Sequence, residues 1–119
     1  MSVPRKSVQT VLIVDDESEV RVMAARILSQ QGCCVLTAES ADDAYKIIKR
    51  STPDVVLLDA HLKQLDIPEF HEFMIETKSG AKLFLTSRSR RRIPDGVGLI
   101  SKPIRKSALV KAITATQKV

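Results

Sequence analysis

At 119 residues, with 44% hydrophobic and 28% charged residues and only four glycines and five prolines, the chain has the makeup of one globular domain and not of a low-complexity polymer. No apolar run approaches the roughly 20 residues that a membrane-spanning helix needs, and MSVPRKSVQT at the start lacks an apolar signal segment, so a cytoplasmic protein without membrane insertion is expected. The net charge of +5 could reflect an anionic partner, yet much of the excess lies in one cluster, Arg88, Arg90, Arg91 and Arg92.

Residues 1–9 read as a polar, flexible N-terminal tail. Thr10 to Val14 (TVLIV) is the first strand, and it runs into three acids, Asp15, Asp16 and Glu17. Val20, Met23, Ala24, Ile27 and Leu28 recur at helical spacing after it, with Ser18 as a candidate N-cap and Gly32 past the last turn. Cys33 to Ala38 is a second apolar run. Its two cysteines, adjacent on a strand, point to opposite faces, which disfavours a mutual bridge and suggests buried core thiols. Ser40 and Asp43 resemble a capping box opening a helix with Ala41, Ala44, Tyr45 and Ile48 on one face, and Pro53 ends that unit.

Val55 to Leu58 (VVLL) has no polar alternation, the signature of a strand buried on both faces of a parallel sheet, and it delivers Asp59 to its end. A third helix is expected from near Asp66 to about Lys78, with Phe70, Phe73 and Met74 inward. Leu83 to Thr86 is a fourth strand, with Phe84 read as core. In Ser87 to Gly98 the only large apolar residues are Ile93 and Val97, and Pro94 and Gly96 interrupt any helix, so the fourth connection is expected to be short or non-helical. Leu99 to Ser101 is a fifth strand, Lys102 and Pro103 turn the chain, and a final helix runs from about Arg105 or Lys106 to Gln117. Strands alternating with helices imply a parallel sheet covered on both faces by right-handed crossovers.

In such a sheet the carboxyl ends of the strands share one rim, where open α/β proteins place their chemistry. Asp15 and Asp16, Asp59, Thr86 and Lys102 all fall there. Three carboxylates, a hydroxyl and an ammonium balance when a divalent cation and a phosphoryl group join them, and hard oxygen ligands suit Mg²⁺. Taken alone, Asp15 and Asp16 read as readily as acids at a helix N-terminus, and Lys102 as a solvated lysine.

The ordered set VLIVDDE, DVVLLD, LFLTS and SKP resembles the receiver domain of two-component response regulators, over about Thr10 to Gln117. The resemblance implies a flavodoxin-like (βα)5 three-layer sandwich over residues 10–119, sheet order 2-1-3-4-5, with the fourth helix shortened or missing. It implies that Asp59 accepts a phosphoryl group from a histidine kinase or histidine phosphotransfer protein, acting as a carboxylate nucleophile. It further implies Mg²⁺ held by Asp16, Asp59 and the backbone carbonyl of His61, with Asp15 acting through water, Lys102 and Thr86 on the phosphoryl oxygens, and His61 and Arg88 modulating dephosphorylation. The Lys102–Pro103 peptide is expected to be cis. The protein would catalyse only its own phosphorylation and dephosphorylation, and signal by switching contacts with a downstream target protein, as a stand-alone receiver.

Three departures accompany the resemblance. Lys63 and Ile67 stand where a proline and a glycine are usual, the segment between Thr86 and Lys102 breaks its helix, and Leu99 replaces the usual Tyr or Phe three positions before the lysine. A competing reading is a phosphorylation-independent binding module that docks partners through the altered fourth-helix region. An aspartyl phosphatase is a third, but His61 stands where those enzymes carry a second acid. The arginine cluster alone reads first as a solvated loop. With aromatics at 3% and no DNA-binding motif, nucleic acid is not expected as a partner.

Overall fold

The computed structural model describes residues 8–77 and 80–116. Five strands, β1 (Thr10–Val14), β2 (Cys34–Ala38), β3 (Val55–Asp59), β4 (Lys82–Ser87) and β5 (Gly98–Ser101), form one parallel sheet in the order β2-β1-β3-β4-β5. Among the described residues four helices accompany them: α1 (Ser18–Gln30), α2 (Ala41–Ser51), α3 (Ile67–Glu76) and α4 (Lys106–Thr116). This is the flavodoxin-like fold expected, with no helix between β4 and β5.

The central strand shows how the pattern builds the layers. All five residues of β3 are buried. Because successive side chains alternate faces, Val56 and Leu58 join a core with Ile48 of α2 and Phe70 and Met74 of α3, while Val55 and Leu57 join a second core with Leu28 of α1 and Leu109 and Ile113 of α4. In place of the missing helix, Val97 is buried in the first core and Ile93 packs against it. Two apolar anchors therefore hold residues 88–97 on the sheet without regular structure. Tyr45 lies against Phe70 and edge-on to Phe73, ring centroids 5.1 and 4.7 Å apart.

Helix starts follow local chemistry. The Ser40 side chain accepts a hydrogen bond from the Asp43 N–H at 3.1 Å, and Asp66 does the same for Glu69 at 2.9 Å, each satisfying an amide that the helix itself leaves free. Ser18 does not cap α1 as expected. The cap position is Glu17, without a side-chain bond, and the Glu17 N–H is instead taken by Asp15 Oδ1 at 2.9 Å. In the loop after β3, the left-handed conformation falls on Gln64 (φ 60°), so Ile67, which occupies the usual glycine position, is free to open α3.

Other boundaries shift. The third helix ends at Glu76, and the expected extensions to Lys78 and Gln117 lie outside the described residues, as does 1–7 of the expected tail. Gln9 departs from that tail: it is buried, its carbonyl accepts from the Cys34 N–H at 2.8 Å, and its Nε2 donates to Thr116 Oγ1 at 3.0 Å. The expectation of two buried thiols fails at Cys34, which is exposed because β2 is an edge strand with only Ala38 fully buried. Cys33 is half-buried against the α1/α4 core, and burial, then the adjacent Cys34, push its thiol pKa up.

Candidate functional site

Four of the five strand ends, those of β1, β3, β4 and β5, supply the side chains of the rim. β1 is followed by Asp15, whose N–H donates to the Ala38 carbonyl at 3.1 Å and so extends the strand pairing by one residue. This draws the carboxylate inward, leaving its side chain 2% exposed. Arg21 of α1 donates to the Asp15 carbonyl at 2.7 Å, fixing the turn from the other side.

Asp59 ends β3, also buried, with Oδ1 accepting from the His61 N–H at 3.0 Å. Thr86 stands beside it in register across the β3–β4 pair, and its carbonyl accepts from the Ala60 N–H at 2.9 Å. After β5, the Lys102 N–H donates to the Ser87 carbonyl at 2.8 Å, and the Lys102–Pro103 peptide is cis. The Lys102 Nζ lies 2.7 Å from Asp15 Oδ2 and 3.5 Å from Asp59 Oδ1, with only 5% of its side chain exposed.

One ammonium therefore lies between two buried carboxylates. Charges removed from water are tolerated only when paired, and here the pairing leaves one negative charge in excess. Asp16 adds to it, while the charge of Glu17 is offset by Arg88, and Asp15, Asp16 and Glu17 present carboxylate oxygens all within 4.8 Å of one another. Such a set of hard oxygen donors, two exposed and one buried, with surplus negative charge, fits a small divalent cation that keeps part of its water.

The family model for the response regulator receiver domain matches residues 11–114. The chain belongs to this family. Relatives include the transcriptional regulatory protein GlrR of Escherichia coli, 26% identical over 110 residues, which are 86% of this chain and 24% of that protein. The phosphate regulon transcriptional regulatory protein PhoB of Pseudomonas aeruginosa is 43% identical over 51 residues, 43% of this chain and 22% of that protein. This receiver domain thus spans about a quarter of the length of these curated relatives. Among solved structures, the receiver domain of the hybrid histidine kinase CckA is 27% identical, with a TM-score of 0.78 over 90% of this chain and 97% of that one. The chemotaxis response regulator CheY4 of Vibrio cholerae, at 21% identity, shares the fold with a TM-score of 0.79 over 92% and 99% of the two chains.

Of the residues singled out in the sequence, the receiver fold brings Asp15, Asp59 and Lys102 into direct contact, Asp16 into the carboxylate cluster and Thr86 alongside Asp59. His61 is exposed and contacts Asp59 through its N–H, while its imidazole Nε2 lies 3.2 Å from Ser87 Oγ. Arg88 meets Glu17, Nη2 lying 3.1 and 3.4 Å from the two carboxylate oxygens.

Three contributors escaped the sequence reading. Glu17 stood in view as the third acid of DDE, but its contact with Arg88 joins positions 71 residues apart. Ser87, buried between His61 and the Ser89 carbonyl, carries no signal beyond its place after Thr86. Arg91, whose Nη1 reaches the Ala60 carbonyl at 3.4 Å, looked like one more solvated charge.

Proposed function

We propose that this receiver domain accepts a phosphoryl group on Asp59 from a histidine kinase or histidine phosphotransfer protein, in a Mg²⁺-dependent reaction, and thereby switches its contacts with a target protein. The observation that carries the reading is the single Lys102 ammonium shared by the buried Asp15 and Asp59. Lys102 offsets the burial of both carboxylates, and it is also a movable cation. One poised between a carboxylate nucleophile and its neighbour can pass to the phosphoryl oxygens once they arrive.

In this proposal an oxygen of Asp59 attacks phosphorus, forming an O–P bond as the donor's N–P bond breaks and the imidazole leaves. Asp15, Asp16, Asp59 and the His61 carbonyl would hold Mg²⁺, which when bound offsets the charge of the phosphoryl group. The His61 N–H fixes Asp59 Oδ1, leaving the other oxygen as nucleophile. Lys102 then pairs with the transferred oxygens, and the Thr86 hydroxyl, one strand away, turns to donate to them. Arg88, freed from Glu17, and the His61 side chain border the path of attacking water and set the lifetime.

The test is incubation with acetyl phosphate or beryllofluoride and Mg²⁺, read by intact mass and NMR. A Mg²⁺-dependent adduct lost in Asp59→Asn is expected; no response, or one that survives this substitution, refutes the proposal. A second reading, a binding module indifferent to phosphorylation, is favoured by the four exposed arginines on the segment that replaces the fourth helix.

A further inference from the structure

Charge divides sharply along this chain. Residues 1–77 carry a net charge of −5, whereas from Lys78 onward eleven Lys and Arg face a single acid, Asp95, for a net of +10. Sheet order turns this sequence asymmetry into a spatial one. β4, residues 88–97, β5 and α4 form one edge of the domain, and among its described residues nine bases accompany Asp95. Only Lys102 among them is buried in the site.

The arginines of this edge are concentrated where the fourth helix is missing. Arg88, Arg90, Arg91 and Arg92 are all exposed, on a backbone that Ile93 and Val97 anchor to the core. Two have partners within the molecule: Arg88 grips the Glu17 carboxylate and Arg91 the Ala60 carbonyl. Among the described residues, Arg90 and Arg92 have neither a hydrogen-bond nor an ion-pair partner. Nothing in the fold requires four guanidinium groups there, and mutual repulsion opposes gathering them.

We propose that residues 88–92 are a docking surface for an acidic segment of a partner protein, with Glu17 as its internal competitor. Among the described residues the one carboxylate these arginines meet is that of Glu17, whose two oxygens both face a single nitrogen, Arg88 Nη2, a charge-assisted contact of the kind an acidic side chain of a partner would make. The basic edge steers such a segment inward, and Arg90 and Arg92 receive it. Nucleic acid fits less well. The segment offers no helix or strand to enter a groove, and the rings of Tyr45, Phe70 and Phe73 pack on one another in the core. A long polyanion would also run on to the rim where Asp15, Asp16, Glu17 and Asp59 gather. A short acidic segment stops before it. The surface acts in the unphosphorylated protein, so it stands or falls apart from the chemistry at Asp59.

The experiment is fluorescence anisotropy of a short labelled polyglutamate peptide with the full chain, in EDTA at roughly physiological salt, alongside single-stranded and duplex DNA of matched charge. Arg90→Ala/Arg92→Ala is expected to weaken peptide binding about 5- to 30-fold, as two exposed charge contacts are lost. The control pair Lys106→Ala/Lys111→Ala, which removes equal charge from α4, should change it less than about twofold. Glu17→Gln should tighten binding about two- to threefold by releasing Arg88, a gain that misfolding cannot produce. Equal losses from the two double variants, no gain from Glu17→Gln, tighter binding of either DNA, or association only between copies of the chain in sedimentation would each overturn the proposal.

Discussion

The carboxylate cluster after β1 costs the domain stability, and Asp16→Asn measures how much. Asp15, Asp16 and Glu17 hold oxygens within 4.8 Å of one another. At that distance two unit charges repel by about 0.9 kcal/mol in a water-like dielectric and about 3.5 kcal/mol at an effective value near 20. Asp16 and Glu17 are exposed, while Asp15 is buried and already paired with Lys102, so the lower figure governs the contacts of Asp16, reduced further by salt. Removing its charge while keeping its shape should therefore stabilise the metal-free protein by about 1 kcal/mol, raising the melting temperature by roughly 3–6 °C for a domain of this size. The assay is thermal and urea unfolding in EDTA, then a Mg²⁺ titration of the melting temperature. Wild type should gain stability with Mg²⁺ through linkage, and Asp16→Asn should gain far less. A variant less stable than wild type in EDTA would show that Asp16 is structurally required, and refute the view that these acids are tolerated at a cost.

Lys102→Met should act in the opposite direction, leaving two buried carboxylates without their cation at a cost of about 3–5 kcal/mol; an unchanged urea midpoint would mean that the ammonium does not compensate them. Gly98→Ala places a methyl 2.6 Å from Phe84 Cε2, and the overpacking should cost about 1–3 kcal/mol, with Phe84→Leu in the same chain restoring much of it; if the second change brings no recovery, the clash is not with the ring. Alkylation by iodoacetamide near neutral pH should modify exposed Cys34 well before Cys33, since burial raises the Cys33 pKa and keeps its reactive thiolate scarcer until the pH climbs past the usual thiol range. Peptide mapping after timed quenching reads the order, and equal rates would contradict the burial of Cys33.

Much of this protein was settled by residue order alone. Period and polarity are local properties, so VVLL between Pro53 and Asp59 defines a doubly buried strand, and Pro94 and Gly96 forbid a full helix, whatever surrounds them. Because strands of a parallel sheet end on one rim, acids and a lysine at strand ends also foretell a shared site. What residue order could not fix are the pairings that sheet order and packing create. Lys102 and Asp15 are 87 positions apart, Arg88 and Glu17 71, His61 and Ser87 26. Which acid takes which cation depends on how β1, β3, β4 and β5 are laid side by side and how far each side chain reaches. Cys34 makes the same point: only its place on the outer strand exposes a residue whose type usually seeks the core. Likewise the left-handed conformation falls on Gln64, two residues before the Asp66 that caps α3, and not on a glycine that residue type would have marked. A sequence places chemistry on a rim through local rules, but only long-range packing decides which charges touch, because contact energies act across space and not along the chain.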